Sequence, residues 1–333
     1  RQSAHAFARN SKKGAVNSPL LSPRSLSLSA PRIVFAGTPE FALVSLSALV
    51  DAGHHVVAVY TQPDRPAGRG QRLTASPVKR YALDCGIDVL QPLTLRDAAV
   101  AEELAALEPD IMIVAAYGLM LPQNILNIPR CACLNVHASL LPRWRGAAPI
   151  QASILANDEV TGVSLMRMTA GLDCGPVFSS STVKISGGEN AGELHDRLAL
   201  LGGELLVSDL PGILATNLGS VEQDDSLATY AAKIQKQDAA LDWSLPADEL
   251  QRHIRAYNPV PGAFFFAKDE SRIKVWKASV IAGIDAPPGS FIQYDSSGIV
   301  VACGRDGLRL ESLQLAGKRR ADAQTFVTHI DLR

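Results

Sequence analysis

The chain has 333 residues, of which 47% are hydrophobic and 20% are charged, and its formal net charge is −1. This length predicts about two domains, and the composition is that of a globular protein with a sizeable core. The balanced charge does not by itself indicate a nucleic-acid partner. No apolar run in the sequence reaches the ~18 residues of a membrane span, so no membrane partner is expected.

The cysteines suggest neither cross-links nor a metal site. Their number is odd and no C-x-x-C pair is present, so neither a disulfide framework nor a zinc site is indicated. We therefore expect a reducing compartment and no metal. The cysteines are Cys85, Cys131, Cys133, Cys174 and Cys303.

Residues 1–30 are rich in serine, carry five Lys or Arg residues and contain no acidic residue. Such a segment cannot build a core, and we predict a disordered tail. Organelle presequences share this composition, and translated upstream sequence is an alternative. The cytoplasm is the expected compartment, with the mitochondrion or a plastid as the alternative if residues 1–30 are a presequence.

The folded part opens with a strand–helix–strand pattern. RIVFAG (32–37) and HVVAVYTQ (55–62) predict buried strands around an intervening helix, and PDIMIVAAYG (109–118) predicts a central strand. This order predicts an α/β, Rossmann-like domain with a mostly parallel sheet over residues 31–218. The turn AGTPE is not G-x-G-x-x-G, so a dinucleotide site is weakly supported.

A basic loop, PDRPAGRGQRLTA (63–75), follows the second strand. It carries Arg65, Arg69 and Arg72. A solvated surface loop is the ordinary explanation for such a cluster. Its length and its position after the carboxyl end of a strand favour a loop that binds a ligand, and an RNA phosphate would suit it.

An amide, an imidazole and a carboxylate form the candidate catalytic set. Residues 133–137 predict a buried strand, on which Asn135 and His137 share one side. Asp173 follows in a glycine-flanked loop, MTAGLDCG (168–175). These groups together support proton transfer with charge stabilisation. The alternative for His137 is a satisfied or exposed histidine at a strand end.

The polar residues 219–237 predict a linker, and residues 238–333 contain short alternating strands typical of a small β-barrel or sandwich. Residues 252–320 contain 11 Lys or Arg against 6 Asp or Glu. This excess would suit a nucleic-acid backbone, although a merely solvated barrel is the alternative. Three of these cations are adjacent: Lys318, Arg319 and Arg320.

Several motifs resemble those of the folate-dependent formyltransferases, and among them the enzymes that act on methionyl-tRNA. The resemblance covers residues 32–326. The candidate catalytic set is shared with glycinamide ribonucleotide formyltransferase and with folate dehydrogenase hydrolase domains, so it indicates only the class. The more specific motifs are AGTPEFA, TQPDRPAGRG, SLLPRWRGAAPIQ, DWS, IRAYNPVPGA and RIKVWKAS.

The resemblance implies an enzyme that transfers the formyl group of 10-formyltetrahydrofolate to the amino group of initiator methionyl-tRNA without a metal. It places Asn135, His137 and Asp173 at the family's catalytic positions. It also implies a C-terminal OB-like β-barrel that holds tRNA, and we expect a monomer. The implied folate contacts are Ser139, Leu140, Leu141 and Pro142. The implied tRNA contacts are Arg69, with Arg65 and Arg72 as helpers, and Lys318, Arg319 and Arg320.

Two other functions are compatible with parts of this pattern. One is formylation of a free nucleotide or nucleotide-sugar amine, which would need neither the basic loop nor the barrel. The other is a non-catalytic RNA-binding protein on a degenerate Rossmann scaffold, against which the intact catalytic set argues.

Overall fold

Two sheets organise the chain. The structure, a computed structural model, describes residues 30–323 with the exception of 68, 69, 71 and 296. The predicted tail or presequence therefore lies outside the described residues, apart from residue 30. The helices are α1 Glu40–Asp51, α2 Pro77–Asp84, α3 Ala98–Ala106, α4 Gln123–Leu126, α5 Pro149–Leu155, α6 Ala191–Leu214 and α7 Ala247–Tyr257.

The first sheet has the predicted Rossmann-like character. Its strands are β1 Ile33–Gly37, β2 Val56–Tyr60, β5 Asp88–Leu90, β6 Ile111–Ala115, β7 Ala132–His137, β9 Val160–Arg167 and β10 Val177–Lys184. They lie in the order β10-β9-β7-β6-β1-β2-β5. Neighbours from β7 to β5 are parallel, and β9 and β10 add an antiparallel edge. A mostly parallel α/β sheet is thus confirmed.

The central strands form the core because they are apolar on both faces, as parallel strands covered by helices must be. All five residues of β1 and of β6 are buried. Helices α1 and α6 cover one face and pack on each other. A separate apolar cluster that includes Tyr60, Leu104 and Ile125 covers the other face.

Short strand pairs lie outside the first sheet. They are β3 Arg65–Ala67 with β4 Arg72–Thr74, and β8 Arg145–Gly146 with β11 Tyr230–Ala231. The second pair is the more informative, because β11 lies in the stretch predicted to be a linker. That stretch is therefore attached to the first sheet's domain by backbone hydrogen bonds.

The C-terminal part is an antiparallel sheet with α7 packed against it. Its strands are β12 Phe264–Phe266, β13 Arg272–Ile281, β14 Phe291–Asp295, β15 Gly298–Ala302, β16 Gly307–Leu315 and β17 Ala321–Asp322. The order is β12-β13-β16-β15-β14, with β17 on β16. A C-terminal domain of short strands is confirmed, and the structure shows that its sheet is antiparallel. Among the described strands β12 and β14 end the path, so closure into an OB-like barrel stays a prediction.

The two sheets' domains contact each other through helices. Helix α7 packs on α5, and the Arg255 guanidinium of α7 donates to the Glu189 carbonyl at 3.1 Å. The Gly192 amide at the start of α6 donates to the Asn258 carbonyl at 3.2 Å. The domain boundaries 31–218, 219–237 and 238–333 stay a prediction. None of the helices that the structure describes combines the length and apolar character that a bilayer crossing requires.

Candidate active site

The carboxyl end of β7 carries the first two candidate residues. Asn135 lies opposite Val114 of the parallel strand β6, and His137 is the last residue of β7. Ligand sites of parallel α/β sheets lie at this edge, where loops leave the strands. His137 is buried, with 6% of its surface exposed. The strand therefore aims both polar side chains at the place where such a fold binds ligands.

Asp173 reaches the same point from the loop after β9. Its Oδ1 accepts a hydrogen bond from Asn135 Nδ2 at 3.4 Å, and its Oδ2 accepts one from the Gly146 amide at 2.8 Å. Nδ1 of His137 lies 3.7 Å from the same Oδ2. The backbone of Asp173 is left-handed, with φ at 47°, which is uncommon for a residue with a side chain. The structure thus brings the three candidate catalytic side chains together.

The loop after β7 orients the imidazole. Nε2 of His137 lies 3.0 Å from the carbonyl oxygen of Trp144. Because a carbonyl oxygen only accepts, this contact holds a proton on Nε2 and leaves the Nδ1 lone pair on the side of Asp173. Nδ1 is therefore the ring nitrogen that can take up or release a proton beside the carboxylate.

Arg145, the next residue after Trp144, has a structural role. Arg145 is 2% exposed; its Nε donates to Gln223 Oε1 at 3.0 Å and its Nη2 donates to Asp225 Oδ1 at 2.7 Å. Although burial opposes its charge, hydrogen bonds with Asp225 and Tyr230 raise the pKa of Arg145. The side chain fixes the start of β8, and with it the Gly146 amide that binds Asp173.

An open pocket of about 560 Å³ contains the three side chains. Its volume lies in the range of about 300–1,000 Å³ that is usual for small-molecule sites. One wall comes from the end of β6 and the segment after it: Val114, Ala116, Tyr117, Gly118 and Leu119. The rest comes from Pro39, Phe41, Val136, Ala138, Ala147, Pro149, Ile150, Gln151, Met168, Leu172 and His195, besides Gly146 and the candidate catalytic set.

Sequence reasoning missed the wall after β6. Tyr117 and Gly118 follow a fully buried strand, which is the signal that could have placed them at the ligand edge. Their backbone is held by residues that follow β2 and β1. Gln62 Nε2, after β2, donates to the Tyr117 carbonyl at 3.1 Å. The Thr38 hydroxyl donates to the same carbonyl at 3.1 Å.

The predicted folate contacts do not line this pocket. Ser139 is fully buried; its hydroxyl donates to the Arg143 carbonyl at 2.6 Å, and its carbonyl accepts from Ser164. Leu140 lines a separate cavity of about 190 Å³ next to Asp158. The pocket therefore gives no support to the predicted folate contacts. That assignment stays a prediction for Ser139, Leu140, Leu141 and Pro142.

The predicted tRNA contacts that the structure describes are exposed. Arg65 and Arg72 are exposed on the hairpin of β3 and β4, where Arg65 Nη2 donates to Gln62 Oε1. Arg69 lies outside the described residues. The cations at the turn between β16 and β17 are exposed, and the Arg320 guanidinium stacks over the Trp276 ring at 5.3 Å. These cations are Lys318, Arg319 and Arg320.

No group of three or more His, Cys, Asp or Glu side chains suited to a metal ion occurs within the part of the chain that the structure describes.

The fold and the site define an enzyme of the formyl-transferring class, and the chain belongs to the formyl transferase family. Residues 31–210 match the family's formyl transferase domain, and residues 233–330 match its C-terminal domain. The methionyl-tRNA formyltransferase of Pseudomonas syringae pv. syringae is 54% identical over 86% of this chain and 90% of its own. That of Coxiella burnetii is 49% identical over 89% of this chain and 94% of its own.

Solved structures show the same fold at low identity. The chain resembles WlaRD, described as a sugar 3N-formyl transferase, with a TM-score of 0.64 and 17% identity over 87% of this chain and all of that one. It also resembles HypX from Aquifex aeolicus in complex with tetrahydrofolic acid, with a TM-score of 0.62 and 15% identity. That match covers 90% of this chain and 47% of HypX.

Proposed function

We propose that this protein transfers the formyl group of 10-formyltetrahydrofolate to the amino group of initiator methionyl-tRNA. The observation that carries the proposal is the convergence of Asn135, His137 and Asp173 on one open pocket. The relatives named methionyl-tRNA formyltransferase, about half identical over most of the chain, support the choice of acceptor.

The reaction is an acyl transfer. The acceptor amine attacks the formyl carbon, a tetrahedral oxyanion forms, the bond from the formyl carbon to the folate nitrogen breaks, and the amine's proton replaces it on that nitrogen. The enzyme must stabilise the oxyanion and carry the proton. In comparable sites one oxyanion donor contributes about 2.7–4 kcal/mol.

Asn135 has the chemistry for the oxyanion. Its amide nitrogen carries two hydrogens, and one of them points to Asp173. The other is available to the developing negative charge. Because Asp173 and the strand hold the amide in place before reaction, it need not reorganise as that charge develops.

His137 and Asp173 divide the proton transfer. His137 takes the amine's proton on Nδ1 and returns one to the folate nitrogen. Asp173 Oδ2, 3.7 Å from Nδ1, stabilises the imidazolium between these steps. The Gly146 amide holds the carboxylate in place while the ring is charged.

The remaining assignments follow from charge and position. The pocket's apolar wall at Tyr117, Leu119 and Ile150 suits a flat aromatic ring system such as that of folate. Arg65 and Arg72 on the hairpin, Arg69 of the same basic stretch of the sequence, and the cations at the β16–β17 turn would bind tRNA phosphates. We further expect a monomer that works in the cytoplasm.

The experiment compares three acceptors of the formyl group. Purified protein is incubated with 10-formyltetrahydrofolate labelled in the formyl group and with methionyl-tRNA, free methionine or glycinamide ribonucleotide. We expect label in methionyl-tRNA alone, and a rate of incorporation that is lower by about 100-fold or more in the His137→Ala variant. Incorporation into glycinamide ribonucleotide instead of methionyl-tRNA would overturn the proposal and favour a free-metabolite acceptor.

A further inference from the structure

The stretch between the two domains wraps around the catalytic loop. We call residues 221–231 the strap. At one end, Val221 and Val177 exchange two backbone hydrogen bonds of 2.8 Å. At the other end, Ala231 of β11 lies opposite Gly146 of β8, and its carbonyl accepts from the Ala147 amide at 2.9 Å. Both ends of the strap are therefore anchored to the elements that hold Asp173.

One strap side chain turns inward between these anchors. Gln223 is half-buried, while its neighbours Glu222 and Asp224 are exposed. Nε2 of Gln223 donates to the carbonyl of Asp173 at 2.9 Å and to the carbonyl of Gly175 at 2.7 Å. Both hydrogens of the Gln223 amide therefore bind the loop that carries the catalytic carboxylate.

The amide oxygen of Gln223 is engaged as well. It accepts from Nε of the buried Arg145 at 3.0 Å. Arg145 precedes Gly146, whose amide donates to Asp173 Oδ2. The single side chain of Gln223 thus touches both segments that meet at the carboxylate: the backbone of Asp173 on one side and the start of β8 on the other.

The loop needs such a brace because its conformation is unfavourable by itself. Asp173 has a left-handed backbone, with φ at 47°. Such strain persists only where the surroundings over-determine the geometry, and it concentrates at functional sites. Without the two hydrogen bonds from Gln223, the Asp173 peptide would relax and the carboxylate would move away from His137.

We infer that Gln223 is a positioning residue for the formyl-transfer step, holding Asp173 at the distance from His137 and Asn135 that the reaction requires. The inference rests on the proposed function. The strap joins the catalytic domain to the C-terminal domain. If Gln223 positions Asp173, the segment that connects the two domains is also part of the catalytic apparatus.

The first test separates positioning from binding. Gln223→Ala removes all three hydrogen bonds, and we expect kcat to fall by about 10- to 100-fold, since a displacement of about 1 Å can cost that much. The KM values for folate and methionyl-tRNA should change less than about threefold, because the side chain does not line the pocket. The matched control is Glu222→Ala, an exposed neighbour on the same strap, which should retain wild-type kcat.

The second test asks whether Gln223 acts through Asp173. In an Asp173→Ala background, adding Gln223→Ala should lower kcat by less than about twofold, because there is no carboxylate left to position. A loss as large as that in the wild-type background would overturn the inference. So would a Gln223→Ala variant with wild-type kcat.

Folding and the proposed function are controlled separately. If Gln223→Ala does not fold, Gln223→Glu replaces it. This variant keeps the acceptor for Arg145, but its second oxygen faces the two carbonyl oxygens, so the same fall in kcat is expected.

Wild-type protein without activity on methionyl-tRNA would refute the proposed function alone. Hydrogen exchange of the amides in residues 169–177 still tests the brace. Faster exchange in the Gln223 variant supports it, and unchanged exchange contradicts it.

Discussion

The imidazole Nε2 of His137 lies 3.0 Å from the carbonyl oxygen of Trp144, whose backbone is left-handed with φ at 61°. The indole of Trp144 is held from the other side, because its Nε1 donates to Asp158 Oδ2 at 2.7 Å. Arg143 donates to the same carboxylate through Nε at 2.9 Å and Nη2 at 2.7 Å. Asp158 therefore anchors the turn that fixes the tautomer and the orientation of His137.

Loss of this anchor should slow the reaction. In Asp158→Ala the Trp144 Nε1–H and the Arg143 guanidinium lose their shared acceptor, and we expect kcat to fall by about 10-fold or more. Steady-state kinetics with methionyl-tRNA measure it. The exposed Asp84→Ala, at the end of α2, should match the wild type. An Asp158→Ala enzyme with wild-type kcat would show that the Trp144 turn holds its place without the carboxylate.

The second prediction concerns Gly146, whose φ is 113°. A Cβ at this position would lie 2.6 Å from the Ala231 carbonyl oxygen. Gly146→Ala should therefore separate β8 from β11, destabilise the fold by about 1–3 kcal/mol and lower kcat, because the amide that binds Asp173 moves. Thermal unfolding and kcat are measured together.

Gly187→Ala is the control for this glycine, because a Cβ there would meet nothing within 4 Å. That variant should keep both the melting temperature and kcat. If Gly146→Ala were as stable and active as Gly187→Ala, the β8–β11 pairing would have no part in holding the site.

The cysteines should differ sharply in reactivity. Burial raises the pKa of Cys133 to about 12 and that of Cys303 to about 11, so both thiols stay protonated at neutral pH. Cys85 is exposed. With iodoacetamide at pH 8, mass spectrometry should find Cys85 alkylated first and the two buried thiols only after unfolding. Equal labelling of Cys133 and Cys85 in the folded protein would contradict the burial of β7.

The cations of the β16–β17 turn should matter for tRNA and not for folate. Lys318→Ala combined with Arg319→Ala should weaken tRNA binding at low salt and reduce the slope of log K against log salt by about 1–2. The KM for 10-formyltetrahydrofolate should not change. The control is the exposed Lys184→Ala on β10. An unchanged salt slope in the double variant would place the tRNA elsewhere.

The sequence predicted what depends on local pattern. The apolar runs of β1, β6 and β7 require a buried parallel sheet, and strand alternation puts Asn135 and His137 on one side of β7. Asp173 could be proposed because a carboxylate between glycines in a loop has little structural reason to be there. These predictions needed only residue types and their spacing.

The sequence did not predict what depends on contacts between distant residues or on backbone atoms. The Trp144 carbonyl and the Gly146 amide carry no signature in the sequence. Gln223 lies in a polar stretch that predicts a linker, and its hydrogen bond to the Asp173 carbonyl spans 50 residues. Ser139 lies two residues after His137 in the sequence, yet its side chain is buried, because its hydroxyl donates to the Arg143 carbonyl.

The central claim is that Asn135, His137 and Asp173 act as one unit on a single formyl group. The most direct measurement is the single-turnover rate of formyl transfer to methionyl-tRNA by the wild type, the three single Ala variants and the triple Ala variant. We predict that Asn135→Ala and His137→Ala each lose about 100-fold or more, and that the triple variant is no slower than the slowest single variant within about tenfold. Single losses that multiply in the triple variant, or a single variant at the wild-type rate, would contradict the claim.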